Sequence, residues 1–188
     1  MTVFLSTAIP DIISITPKVF DDERGFFLES YQKQRFSEAG IPFDFVQDNH
    51  SKSHHGTLRG LHYQIRQPQG KLIRVISGEI FDVAVDIRRN SPTFGKWVGD
   101  YLSAANKKML WVPAGFAHGF YVTSSDAEVL YKTTDYYAPQ WERTIVWNDP
   151  TIGVKWPIIE GALPVLSPKD TVGKLLQDAE VFEHPMHI

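Results

Sequence analysis

Short apolar runs divided by Gly, Pro, Asn and Asp recur along the chain and predict many short β-strands. Alternation is strict in one segment, where Phe81, Val83, Val85 and Ile87 share one face and Asp82, Ala84 and Asp86 share the other. The predicted strands are Ile12–Phe20, Phe26–Tyr31, Phe43–Ser51, Thr57–Gln64, Lys71–Ser77, Ile80–Ile87, Trp97–Leu102, Lys108–Val112, Gly119–Val122 and Glu128–Thr134. Such a series is typical of an all-β sandwich, jelly roll or barrel.

Glycines and polar stretches predict how the strands connect. Gly78 and Glu79 lie between two strand patterns and predict a tight hairpin. The polar stretch Gln32–Ala39, followed by Gly40, predicts a short helix with a glycine stop, and Lys174–Phe182 predicts a second short helix. Because no linker or short-period repeat divides the chain, we expect a single domain over residues 1–188.

Composition narrows the functional classes. The chain is 43% hydrophobic with a net charge of −3, which gives no electrostatic reason to expect a nucleic acid or membrane partner. It has no cysteine, which excludes disulfides and thiolate metal sites. The first residues lack the basic and long apolar regions of a signal peptide, and no run is long enough to span a bilayer. We therefore expect a soluble cytoplasmic protein.

Two histidines lie in similar aromatic-rich segments, Gly60-Leu61-His62-Tyr63-Gln64 and Pro113–Phe120, the latter with His118. Metal-binding β-barrels often carry His-x-His on the first such segment, but Gln64 occupies the second position here. Two histidines fall short of the three protein ligands of a typical catalytic metal site. We expect no metal and no other cofactor. His184 and His187 are expected to be tail residues.

Seven segments together resemble the dTDP-4-dehydrorhamnose 3,5-epimerases of bacterial deoxysugar synthesis. The resemblance runs from about residue 3 to about residue 180 and implies an all-β cupin double-stranded β-helix, a jelly-roll barrel with short peripheral helices. The matching segments are Asp22–Glu29, Gln47–Ser51, Gly56–Gln64, Pro68–Leu72, Gly78–Asp86, Pro113–Phe120 and Leu166–Asp170.

The resemblance implies inversion of C3 and C5 of dTDP-4-dehydro-6-deoxy-D-glucose to give dTDP-4-dehydro-L-rhamnose, a step toward rhamnose and O-antigen polysaccharides. Both carbons flank the C4 ketone, so the reaction needs a base, an acid on the opposite face and a group that stabilises the enolate. The matching residues are His62 as base, Asp170 as its orienting carboxylate, Tyr131 as acid and Lys71 as enolate stabiliser.

Residue patterns alone leave plainer interpretations open. Tyr131 shares a strand face with Val129 and Thr133, which is equally typical of an ordinary strand aromatic. Lys71 at a strand start is also typical of a surface lysine. Asp170 is typical of an N-terminal residue just before a helix over Thr171–Gln177, and it could have both roles at once.

Substrate contacts are likewise implied by the resemblance. Cations suit the diphosphate, and Tyr137 matches the aromatic that stacks on thymine. The full set is Arg24, Phe27, Glu29, Gln47, Asp48, Asn49, Arg59, His118, Tyr137, Glu142 and Lys169. Arg59 and His62 have opposite strand parity, so either a bulge or twist at Gly60 brings them together or Arg59 acts from the rim. We also expect a hydrogen bond between His118 and Asp82, with a solvent-facing Asp82 as the alternative.

The family forms homodimers in which N-terminal strands, with Arg24 and Glu29, complete the neighbouring site; we expect the same here. Competing functions are a single-carbon epimerase, a 3,4-ketoisomerase on the same nucleotide sugar, a non-catalytic sugar-binding cupin and a metal-dependent oxygenase or isomerase. Tyr131 and its surroundings distinguish a 3,5-epimerase from the first two. The presence of His62, Asp170, Lys71 and Tyr131 together argues against a non-catalytic sugar-binding cupin, and Gln64 argues against a metal-dependent enzyme.

Overall fold

The fold was determined as a computed structural model that describes residues 1–183. His184 and His187 lie outside the described residues. The strands are β1 Val3–Ser6, β2 Ile13–Thr16, β3 Val19–Asp22, β4 Gly25–Leu28, β5 Gln47–His54, β6 Leu58–Gln64, β7 Lys71–Ser77, β8 Glu79–Asp86, β9 Trp97–Ser103, β10 Met109–Val112, β11 Phe116–Val122, β12 Asp126–Thr133 and β13 Glu142–Thr144. The helices are α1 Lys33–Glu38, α2 Pro168–Thr171 and the 3-10 turns Pro139–Trp141 and Leu176–Asp178.

Two antiparallel sheets pack face to face. One has the order β1-β2-β10-β7-β12-β5 and the other β13-β6-β11-β8-β9, while β3 and β4 form a separate hairpin. Residues of both sheets, including Ile73 and Val129 from one and Ile80 and Val122 from the other, form the core between them. This arrangement confirms the predicted all-β jelly roll with short peripheral helices.

Inward-facing positions change from apolar to polar along the barrel. On β7 the inward side chains run from Val75 and Ile73 to Lys71, and on β11 they run from Phe120 to His118. The hydrophobic core, which also includes Val112 and Phe116, therefore lies beside a polar cavity lined by the same strands. The functional site follows from this gradient, because the core fixes the strands whose ends carry the polar side chains.

Parts of the outer faces of both sheets are also covered. Val83 and Val85 of β8 pack under the C-terminal segment through Leu176 and Phe182. On the other sheet, Trp111 is buried beneath residues of the N-terminal half, including Phe36 and Phe43. Burial on both sides explains why β8 is buried along almost its whole length.

The predicted hairpin at Gly78 is wrong. β7 pairs with β10 and β12, whereas β8 pairs with β11 and β9, so the turn passes from one sheet to the other. Gly78 has φ +71°, and a Cβ there would lie 1.9 Å from the Asp126 carbonyl oxygen. A glycine turn gives the same local signal whether the flanking strands pair or separate.

Other boundaries also differ from the prediction. The expected strand Ile12–Phe20 is two strands separated at Pro17, which has no N–H for a sheet ladder. The expected helix over Lys174–Phe182 is wrong apart from the 3-10 turn, because its backbone bonds to other segments: Lys174 accepts from Val146, and Phe182 accepts from Arg89. The predicted helix over 32–39 is confirmed as α1.

Candidate active site

A cavity of about 370 Å³ opens at the polar end of the barrel. It is lined from both sheets and from the segment that contains α2. Predicted site residues at its wall are Gln47, Asn49, Arg59, His62, Lys71, His118, Tyr131, Tyr137, Glu142, Lys169 and Asp170. The tertiary fold therefore brings together all four residues to which the resemblance assigns catalysis.

His62 and Asp170 form a close pair on the five-stranded side. Nε2 of His62 lies 2.6 Å from Oδ1 of Asp170, which is 2% exposed. The same Oδ1 accepts the Gly60 amide at 3.1 Å, while Oδ2 accepts the Ser167 amide at 3.1 Å and the Ser167 hydroxyl at 2.5 Å. Asp170 is also the N3 residue of the capping box that begins α2 at its N-cap Ser167. Both roles considered for it therefore hold at once, although the helix spans 168–171 and not 171–177.

The electrostatic surroundings favour a neutral His62 beside an ionised Asp170. Burial lowers the pKa of His62 below its ordinary value; Asp170 opposes this shift, and the ammonium groups of Lys169 and Lys71 add to it. Burial works against ionisation of Asp170, but its contacts with His62, Ser167 and the Gly60 amide outweigh that effect and lower its pKa. Near neutral pH, His62 can accept a proton while Asp170 remains a carboxylate.

A bulge at Gly60 brings Arg59 and His62 to the same cavity. On β11, His118 pairs with His62 and Phe120 pairs with Arg59, so two residues of β6 lie opposite one of β11. Gly60 has φ +125°, and a Cβ there would lie 2.6 Å from the Gly119 Cα. Only glycine permits this close approach, and the bulge resolves the parity conflict in favour of a shared cavity.

Lys71 and Tyr131 reach the cavity from the opposite sheet, on the neighbouring strands β7 and β12. Burial lowers the pKa of Lys71 to about 8, although the carboxylates of Asp82 and Glu142 act to raise it. Burial raises the pKa of Tyr131, with Arg59 opposing and Glu142 adding to the shift. The phenol is therefore protonated near neutral pH and available as an acid.

His118 and Asp82 form the expected hydrogen bond at the base of the cavity. His118 Nε2 lies 2.9 and 3.0 Å from the two carboxylate oxygens of Asp82, which is fully buried. The solvent-facing alternative for Asp82 is wrong. A buried carboxylate needs such a partner, and here it also adds negative potential near Lys71.

Hydrogen-bonded polar side chains lie at the cavity mouth. The Tyr137 hydroxyl donates to Glu142 at 3.0 Å, and Lys169 Nζ donates to the other Glu142 oxygen at 2.8 Å. Gln47 and Asn49 are linked by a 2.9 Å hydrogen bond on β5. The opening therefore combines the Tyr137 ring, the cations Arg59 and Lys169, and the amide groups of Gln47 and Asn49.

Four predicted contacts lie away from this cavity. Arg24 and Phe27 are exposed on the β3–β4 hairpin, where Arg24 pairs with Asp22, and Glu29 pairs with Arg35 of α1. Asp48 pairs with Lys132 on the outer face of its strand. The alternation of β5 would have excluded Asp48 from the cavity wall, since its side chain points to the opposite face from those of Gln47 and Asn49.

Sequence reasoning missed part of the lining, namely Ser51, Gln64, Gln69 and Ser167. Parity was the available signal for two of them: Ser51 shares a face with Gln47 and Asn49, and Gln64 shares one with His62. Within residues 1–183, no group of three or more His, Cys, Asp or Glu side chains converges as a metal site.

Comparison with known proteins identifies the family. The model of the family described as dTDP-4-dehydrorhamnose 3,5-epimerase matches residues 6–178. The chain belongs to this family. It is 62% identical over 176 residues to the dTDP-4-dehydrorhamnose 3,5-epimerase of Pseudomonas aeruginosa, covering 93% of this chain and 96% of that protein.

Solved structures of 3,5-epimerases and related enzymes share the fold. A dTDP-6-deoxy-D-glucose-3,5-epimerase from Legionella pneumophila, in complex with dTDP-4-keto-L-rhamnose, superposes with a TM-score of 0.95 at 50% identity, covering 99% of this chain and all of that one. A 3'-monoepimerase from Streptomyces bikiniensis, in complex with dTDP-quinovose, has a TM-score of 0.84 at 32% identity over 91% of this chain and 86% of that chain. Family membership makes the protein an isomerase that epimerises a sugar nucleotide. No helix in the described part of the chain is long and apolar enough to cross a membrane.

Proposed function

We propose that this protein inverts both C3 and C5 of dTDP-4-dehydro-6-deoxy-D-glucose to give dTDP-4-dehydro-L-rhamnose. The observation that carries the proposal is the placement of His62, paired with Asp170, on one sheet and of Tyr131 on the facing sheet of a single cavity. Inversion requires removal of a proton from one face of a carbon and delivery to the other, and groups on opposite walls meet that requirement.

In the proposed reaction, His62 removes the proton from C3 or C5. The C–H bonding pair moves into the new carbon–carbon double bond, and the ketone π electrons move to the C4 oxygen, forming an enolate. Lys71 stabilises this negative oxygen, an effect worth about 10²–10³ in kcat for one such donor. Tyr131 then protonates the carbon from the opposite face, the ketone reforms, and exchange with solvent resets the protonated His62 and the phenolate.

The nucleotide binds at the mouth in this proposal. Arg59 and Lys169 contact the diphosphate, and Tyr137, which is half exposed, offers its ring to thymine. Gln47, Asn49 and Glu142 supply polar contacts, and His118 lies beside the sugar, held by Asp82. The linkage of Glu142 to both Tyr137 and Lys169 supports a preformed binding edge.

We further propose a homodimer in which the β3–β4 hairpin reaches the site of a second copy. The hairpin exposes Phe20, Phe26 and Phe27, the last 68% exposed, together with Arg24. In this arrangement Arg24, Phe27 and Glu29 become substrate contacts in the neighbouring cavity. We also propose that residues 1–188 form a single domain.

The deciding experiment is an NMR time course of the proposed substrate in deuterated water with EDTA-treated protein. Deuterium at both C3 and C5, with formation of the L-rhamno product, supports the full proposal and its independence from added metal. Deuterium at one carbon only would instead assign a single-carbon epimerase, like the 3'-monoepimerase from Streptomyces bikiniensis. Migration of the ketone to C3 would assign a 3,4-ketoisomerase, and binding without exchange would assign a sugar-binding module.

A further inference from the structure

The loop that presents Tyr137 has no sheet ladder of its own. It runs from Asp135 to Ala138, between the end of β12 and the 3-10 turn Pro139–Trp141. Its backbone groups must find partners elsewhere, because a peptide group enclosed without one is costly. Local contacts supply some of them, since Asp135 Oδ1 accepts the Tyr136 amide and the Ala138 carbonyl oxygen accepts the Trp141 amide. Three glutamine side chains from other parts of the barrel supply further partners.

Each glutamine comes from a different segment of the barrel end. Gln69, between β6 and β7, donates to the Asp135 carbonyl oxygen at 2.7 Å. Gln47, on β5, accepts the Tyr137 amide at 3.0 Å. Gln64, the last residue of β6, accepts the Ala138 amide at 2.8 Å and donates to the Tyr136 carbonyl oxygen at 3.2 Å.

Gln64 is the centre of this arrangement. It is 5% exposed, and its Nε2 also donates to the Gln67 carbonyl oxygen at 2.7 Å. One end of the amide therefore faces an N–H and the other faces two carbonyl oxygens, so only one orientation satisfies all three bonds. A side chain without both a donor and an acceptor leaves the buried Ala138 amide and the partly buried Tyr136 carbonyl oxygen, on either side of Tyr137, without this partner.

We propose that Gln64, assisted by Gln69 and Gln47, is a positioning residue that holds Tyr137 in place and thereby sets the affinity for the nucleotide base. Tyr137 is 51% exposed and lines the cavity, so its ring is accessible to a ligand there, while its hydroxyl donates to Glu142. This inference rests on the proposed function, since the ligand is the thymine of the substrate. Gln64 touches neither of the groups assigned to proton transfer, so its effect falls on binding rather than on kcat.

The test compares Gln64→Met with wild type and with Gln140→Met, a control at an exposed glutamine just beyond the loop. In the unliganded protein, hydrogen exchange of the Tyr137 and Ala138 amides should accelerate in Gln64→Met alone. The Kd for dTDP by calorimetry and the KM for the dTDP-sugar should rise about tenfold, the scale of one or two lost neutral hydrogen bonds. The value of kcat should change far less than KM.

Coupling to Tyr137 decides between positioning and a general loss of structure. In a Tyr137→Ala background, Gln64→Met should weaken dTDP binding by less than about twofold, because the ring through which it acts is gone. A full tenfold loss in that background overturns the inference, as does unchanged exchange at Ala138. If Gln64→Met fails to fold, Gln69→Met gives the same cycle with a smaller expected effect, because the Asp135 carbonyl oxygen keeps its 2.9 Å hydrogen bond from the Thr133 hydroxyl. A wild-type protein that neither binds dTDP nor exchanges substrate protons overturns the proposed function; the amide exchange then still decides whether Gln64 holds the loop.

Discussion

His62 Nε2 lies 2.6 Å from a carboxylate oxygen of Asp170, although the two residues come from a central strand and from the first turn of a distant C-terminal helix. Capping contacts with Ser167 and a hydrogen bond from the Gly60 amide hold that carboxylate in place. The hydrogen bonds that begin the helix therefore also fix the carboxylate that lies beside the imidazole. This coupling makes the C-terminal segment part of the catalytic machinery in the proposed mechanism.

Replacing Asp170 with asparagine should lower kcat by about 10²–10⁴, the usual contribution of a well-placed base, because the imidazole loses the carboxylate that fixes its ring. The Kd for dTDP should stay within about twofold, a difference of well under 1 kcal/mol, since the change removes no group assigned to the nucleotide. Asp178→Asn, at an exposed carboxylate in the same segment, serves as the matched control. Steady-state kinetics and calorimetry check both values. An Asp170→Asn enzyme with wild-type kcat would refute the orienting role.

Replacing Tyr131 with phenylalanine should separate proton removal from inversion. His62 still removes a substrate proton and exchanges it with solvent, but no acid remains on the opposite wall. We expect deuterium to enter the substrate with retained configuration, while formation of the L-rhamno product falls by about 10²–10⁴. NMR in deuterated water reads both events in one sample. Loss of exchange and inversion to the same extent would mean that Tyr131 is needed before the enolate forms.

The pH dependence of kcat/KM should be bell-shaped. His62 must be neutral to act as a base, so activity rises as pH passes its pKa, which lies below the ordinary value of about 6.5. Lys71 must be charged to stabilise the enolate, so activity falls as pH rises through about 8. Substitution with arginine keeps the charge at high pH, and Lys71→Arg should therefore lose the alkaline limb. An alkaline limb that persists near pH 8 in Lys71→Arg would assign it to another group.

Mixed dimers test whether the hairpin completes the neighbouring site. His62→Asn and Arg24→Ala should each be weakly active alone. In a mixed dimer, the cavity of the Arg24→Ala subunit retains its own His62 and receives an intact hairpin from its partner. Mixing the two variants after dissociation should therefore restore activity above either parent. If Arg24 serves its own chain, or the protein is a monomer in sedimentation analysis, no rescue occurs.

Much of the architecture was readable in the chain because the signals are local. Alternating residues predicted most strands, and Gly40 after a polar stretch predicted the end of α1. Strict parity within β12 placed Tyr131 on the same side as Val129, which the interior confirms. These predictions succeeded where neighbouring residues alone decide which way a side chain points.

Predictions failed where distant segments compete for the same backbone. The glycine turn at Gly78 joins two sheets instead of two paired strands, since β10, β12 and β11 supply the partners. The C-terminal segment gave a helical pattern but bonds to Val146 and Arg89 instead. Nothing local distinguishes these outcomes, because pairing partners are chosen by packing across the whole barrel.

Residue types and local patterns were enough to establish the strand-rich class, the absence of thiol chemistry, the resemblance to an epimerase family and the presence of side chains that suit enolate chemistry. The three-dimensional fold was needed to show that His62 lies against Asp170, that Asp82 is buried against His118, and that a bulge at Gly60 turns Arg59 into the cavity. It also showed that Gln64, notable in the sequence only as a missing metal ligand, holds the Tyr137 loop. The reason is physical: a residue's chemistry is local, whereas its partners depend on long-range strand pairing and burial.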